Sequence, residues 1–270
     1  MKNYIALNTT EKQLQVEFKK PVVEITQAEM EMYIEKIRNN YTYNTMRTKK
    51  FLINTLMKQK GSDVYVEFTM EGLESVEKSI ITEKELLEVI NMLDNAQDRF
   101  LLMAIFRGIA GKQAKDIINL KSTDIDFKNN IISLPEKTIV MDAVLAKLAK
   151  DAIDEKEYTV ISSDFMGKIE TYEVNEKSNY LIKVRPYKKN NNGMDAMSYN
   201  GFRTRFGSIC KFLDLDVTIS SLEKSGVISR MIKEDAGNTV REIEDWLKKN
   251  SIKMERFLAF RLYKQQKAMI

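Results

Sequence analysis

The sequence predicts a mostly α-helical protein of two domains with a small β-sheet. Three observations lead there. A length of 270 residues suits two domains of ordinary size, only 3 Pro and 10 Gly interrupt the chain, and several apolar stretches of helical spacing begin at capping residues. Hydrophobic residues at 43% and charged residues at 30% support a buried core beneath a heavily solvated surface.

In chain order, residues 24 to 60 read as two helices joined by a polar turn. Thr26 and Glu29 are spaced as a capping box, and Met30, Tyr33, Ile34 and Ile37 recur at helical intervals. Asn39 and Asn40 stop that helix. A second begins near Tyr43 to Thr45, turns Phe51, Leu52, Leu56 and Met57 inward, and ends before Gly61. Residues 61 to 78 have weak periodicity and read as a short element followed by a linker, so the expected domains are 1–78 and 79–270. The second domain opens on a capping box, Thr82 and Glu85, with Ile81 and Leu86 at the positions of a hydrophobic staple and Ile90 and Leu93 continuing the face. The run from Phe100 to Phe106 predicts a fully buried helix. Asp124 to Leu134 reads as strand, turn and strand, with Asn129 and Asn130 suited to positive φ. Helical spacing returns over Met141 to Ile153, Tyr158 to Ser162 suggests a short strand, and helices fill the chain from Ser198 onward.

Composition narrows the chemistry. The chain has 0 His, which excludes a histidine nucleophile relay, a histidine metal site and a histidine general acid or base. The single cysteine, Cys210, can form neither an intrachain disulfide nor a zinc cluster, which suits a reducing cytoplasm. Neither a signal peptide nor a membrane-length apolar run is evident, so a cytoplasmic protein without cofactor, metal or membrane partner is expected.

The net charge of +4 is mild, but its distribution is uneven. From Lys36 to Lys60 the basic residues Lys36, Arg38, Arg47, Lys49, Lys50, Lys58 and Lys60 meet no acidic residue, and Tyr41 to Thr45 add hydroxyls and amides at a helix start. From Lys177 to Lys211, Lys177, Lys183, Arg185, Lys188, Lys189, Arg203, Arg205 and Lys211 face a single Asp195. Two basic stretches, one per domain, predict a clamp on double-stranded DNA. The candidate contacts are Thr42, Thr45, Arg47, Lys49, Lys50, Arg185, Lys188, Lys189, Arg203, Arg205 and Lys211. Arg203 and Arg205 diverge on a helix, so that one faces DNA while the other caps or packs.

The segment from Phe106 to Asp126, a buried helix, a glycine-containing turn, an acidic residue, a Leu and then Asp-Ile-Asp into a hairpin, resembles the first signature of the tyrosine recombinases, the phage integrase superfamily. In that family the turn supplies an arginine that binds the scissile phosphate; one register puts Ala110 there and the other Gln113. Ser198 to Phe212 looks like the helix before the second signature. Thr218 to Gly226 resembles the His-x-x-Arg box, with Ser220 at the histidine position and Glu223 at the arginine position. Tyr263, on the final helix, is the candidate for the nucleophile, Lys137 lies near the family's lysine, and Arg107 sits one turn before Ala110.

The resemblance covers roughly residues 24 to 270. It implies an N-terminal helical SAM-like core-binding domain and a mixed α/β catalytic-like domain, with a carboxylate where phosphate should bind. It therefore implies a DNA-binding protein that does not cut: a phage or prophage transcriptional repressor, similar in kind to the integrase-fold master repressors of SPbeta-like temperate phages. The alternatives are an active recombinase with displaced catalytic residues and an accessory protein whose scaffold binds another protein. The C-terminal helix is the element open to oligomerisation.

Overall fold

The computed structural model describes residues 5–38, 41, 43–67, 80–161 and 170–268. The expected boundary near Lys78 and the candidate Thr42 lie outside them.

The chain begins with three helices, α1 (Ile5–Phe18), α2 (Gln27–Arg38) and α3 (Tyr43–Gln59). Thr26 caps α2 as its spacing predicts: the Thr26 amide donates to Glu29, and the Glu29 amide donates to Thr26 Oγ1 at 3.3 Å. Helix α1 carries no clear apolar pattern in the sequence. Its buried face, Ala6, Leu7, Thr10 and Leu14, contains a polar residue that breaks the apolar pattern; the Thr10 hydroxyl meets its hydrogen-bonding need by donating to the Ala6 carbonyl.

Helices α4 (Glu83–Ile90) and α5 (Ala96–Phe106) follow. The Thr82–Glu85 capping box forms, and Ile81 and Leu86 are both buried. Ten of the eleven α5 residues are buried, as a continuous apolar run requires. After the short α6 (Lys115–Ile118), strands β1 (Ile125–Asp126), β2 (Ile131–Ser133) and β3 (Thr138–Val140) make an antiparallel sheet in the order β1-β2-β3. Asn130 turns the first hairpin at φ 54°, a conformation Asn tolerates better than most residues. Helix α7 (Ala143–Asp154) leads to a second antiparallel pair, β4 (Glu157–Thr159) and β5 (Thr171–Glu173). Helices α8 (Tyr199–Phe212), α9 (Ile219–Lys233), α10 (Val240–Lys249) and α11 (Arg256–Lys267) complete the described chain.

A continuous apolar core runs from Ala6 through α2, α3, α5 and α8 to Leu222 on α9. A second cluster joins Ile80 to Ile228, Met231, Ile243, Trp246, Leu247, Leu262 and Tyr263. Each fully buried Leu, Ile or Phe contributes about 1.5–3 kcal/mol. Helix α9 crosses α5 at Gly226, where a Cβ would stand 1.6 Å from the Phe106 carbonyl oxygen; any side chain would push the helices apart. This crossing brings Glu223 on α9 to the turn that ends α5.

Candidate nucleic-acid interface

The turn after α5 is backbone-driven. Gly108 and Gly111 adopt φ 77° and 68°, while Gln113 and Ala114 follow at 55° and 54°. Ala110 is fully buried and Gln113 is exposed, so neither register offers a cation to a phosphate. Lys137, just before β3, reaches back to this turn. Its Nζ donates to the Gly108 carbonyl at 2.6 Å and stands 3.8 Å from Asp116. Glu223 comes within electrostatic reach of the same two groups, and burial, reinforced by Asp116, pushes its carboxyl above the usual range against the pull of Lys137. Lys137 thus stands between two carboxylates, Asp116 and Glu223, while Lys112 and Lys115 of the same turn are exposed. Ser220 is exposed and, having no titratable group, supplies no acid-base function.

Arg107 is the guanidinium nearest this turn in sequence, and it is committed elsewhere. Its Nη1 and Nη2 donate to Glu83 at 3.1 and 2.7 Å, and Nη2 also reaches Asp142 at 2.5 Å. Glu83 in turn accepts from Ser229 and pairs with Lys233 at 2.7 Å. Burial works against the charge of Glu83, but its bonds to Arg107 and Lys233 outweigh burial and hold the carboxyl down to about 2. Tyr263 is fully buried; its hydroxyl donates to Asp235 at 3.1 Å and accepts from Lys267 at 3.0 Å.

The first basic segment is largely neutralised within the protein. Lys36 pairs with Glu17, Arg38 with Glu35 and Lys60 with Glu11. Two of its candidates need correction. Thr45 is buried, because the start of α3 turns that face into the core. Lys49 is also buried: its Nζ lies 4.4 Å from the Tyr41 ring centre and 3.7 Å from Glu88, and desolvation lowers its pKa. Arg47 and Lys50 lie on the outer face of α3 and line an open groove of about 730 Å³ with Lys58, Asn54 and Tyr65. Arg47 is paired there with Asp214 at 2.7 Å and Asp216 at 3.7 Å.

In the second segment Arg205 is the third correction. It sits three residues after Phe202 and four before Ile209, on the face of α8 that packs inward, and its Nε donates to Asp98 at 2.6 Å in the core. Arg185 pairs with Glu170 at 2.5 Å beside the Tyr172 and Tyr187 rings. Lys188, Lys189, Arg203 and Lys211 are exposed, with Arg203 over the Tyr199 ring. Lys183 is structural: its Nζ donates to the carbonyls of Ile153 and Glu155, closing the C-terminal end of α7. The roles of Glu83, Asp142, Asp214 and Asp216 escaped sequence inspection, because each depends on a partner far away in the chain.

Among solved structures the chain is similar to that titled "Crystal structure of XerA recombinase", at 13% identity and a TM-score of 0.45 over 95% of this chain and 84% of that one. It is similar as well to the Tn1549 transposon integrase in complex with circular intermediate DNA, at 11% identity and a TM-score of 0.42 over 94% and 92%. No curated protein matches the sequence. Residues 80–254 match the family described as "MrpR, C-terminal catalytic domain", and the chain belongs to that family.

Proposed function

We propose that the chain is a sequence-specific double-stranded DNA-binding protein on a recombinase-like scaffold, acting as a phage or prophage transcriptional repressor without strand cleavage. The observation that carries it is the set of carboxylates that engage the cations at and beside the α5 turn. Arg107 is bound by Glu83 and Asp142, and Asp116 and Glu223 surround Lys137. A scissile phosphate placed there would find Glu223 and Asp116 beside the turn's lysines and no arginine to stabilise its developing charge. Tyr263, with its ring buried and its hydroxyl held by Asp235 and Lys267, is consistent with the same reading.

Binding is supported separately, by the exposed cations of Lys188, Lys189, Arg203 and Lys211 and by Arg47, Lys50 and Lys58, which line the α3 groove beside Asp63 and Asp214. Repeated selection of retarded duplexes from a random pool tests it. A recovered consensus sequence supports a specific binder, whereas a protein that retards no duplex at moderate salt is not one.

A further inference from the structure

The α3 groove contains two features that cation clustering alone does not explain. The first is that its best phosphate ligand, Arg47, is occupied by carboxylates 167 and 169 positions away in the chain, Asp214 and Asp216, in the connection between α8 and α9. The pair is accessible to solvent: Arg47 is 30% exposed and Asp214 34%. The second is the backbone at Asp214. Helix α8 ends with the Leu215 amide donating to the Cys210 carbonyl at 2.8 Å and the Asp214 amide donating to the Lys211 carbonyl at 3.3 Å. That is the Schellman pattern, in which Asp214 takes the left-handed position usually given to glycine, at φ 49°. Glycine takes this conformation with less strain than Asp, as it would at Lys19, Asp235 and Ser251, which adopt positive φ as well.

We infer that Asp214 and Asp216 form an electrostatic latch, an internal stand-in for phosphate that occupies Arg47 and makes the α3 groove compete with its own chain for a polyanion. The inference rests on the DNA-binding reading above. An exposed carboxylate pair is a weak competitor, since such ion pairs are worth little and are screened by salt. The latch therefore opens to an array of phosphates, where Lys50 and Lys58 engage together with Arg47, and stays shut against isolated anions.

The test is Asp214→Gly combined with Asp216→Asn in the full chain. Glycine relieves the left-handed backbone while deleting the carboxylate, so thermal stability should hold or rise. Retardation of a 30-base-pair duplex of random sequence should tighten about threefold to tenfold, with a log–log salt slope steeper by about 0.9, because Arg47 no longer has Asp214 and Asp216 to displace. Adding Arg47→Ala should cancel both changes. Unchanged affinity in the double variant overturns the latch, and so does a gain that survives Arg47→Ala, since it would come from lost general repulsion. If neither the wild type nor the variant binds the duplex, the DNA reading itself fails and the latch falls with it.

Discussion

Arg205 and Asp98 form an ion pair inside the protein, Nε to Oδ1 at 2.6 Å, with side-chain exposures of 7% and 0%. The guanidinium also lies 4.1 Å from the Tyr158 ring centre. Such a pair does not outperform an apolar one, but removing one member strands the other charge, at about 3–5 kcal/mol. Arg205→Ala and Asp98→Ala should each lower unfolding stability by about that much, while Arg205→Met with Asp98→Leu should lose less than the two single losses combined. Urea melts of the four proteins check this. Near-wild-type stability in Arg205→Ala would mean that Arg205 is a surface residue after all.

Lys188, Lys189, Arg203 and Lys211 should behave in the opposite way. Replacing each by Gln should leave stability within about 0.5 kcal/mol, as for most surface substitutions. Each lost phosphate contact should flatten the log–log salt slope of DNA binding by about 0.9. Affinity titrated against salt measures it, and four unchanged slopes would place the interface elsewhere.

The Glu83 network makes stability fall in acid. The folded carboxyl is held down to about 2 from an ordinary 4.5. Its contribution is therefore present in full above pH 4.5 and is lost as pH falls toward about 2. Stability profiles across that window should fall less steeply for Glu83→Gln than for the wild type, while the variant is less stable at neutral pH because Arg107 loses a partner. Parallel profiles would deny the network its role.

Glu223 has the reverse sign. Burial raises its folded pKa above the unfolded value, so its ionisation opposes folding; the full stability is present below pH 4.5 and part is lost as pH rises through the folded value. Glu223→Gln should therefore melt higher than the wild type at neutral pH and nearly level with it in mild acid. A variant less stable at neutral pH would show that the carboxylate is held by a favourable ion pair.

The helices announced by caps were legible: Thr26 with Glu29 and Thr82 with Glu85 form the bonds their spacing predicts, and the Phe100–Phe106 run is buried. Helix α1 and the strands β3 and β5 were not, because a buried Thr10 interrupts one pattern and three-residue strands carry too little alternation to read. At the site, sequence showed which charges are present but not where their partners lie. Arg205 shared the spacing of Phe202 and Ile209, a sign that it faces inward, and its partner Asp98 is 107 positions away. Lys49 likewise turns toward Glu88 and Tyr41, a choice that depends on how α3 meets α4.

The most direct measurement is a covalent-trapping assay with a nicked duplex carrying the sequence that the protein itself selects, run alongside retardation of the same duplex. Retardation without any protein–DNA adduct is expected, and Tyr263→Phe should leave affinity unchanged while costing about 0.5–1.5 kcal/mol of stability through its lost hydrogen bonds to Asp235 and Lys267. Ala110→Arg alone should create no adduct, because Glu223 remains. An adduct that forms with the wild type and disappears in Tyr263→Phe would contradict the proposal and make the chain a working recombinase.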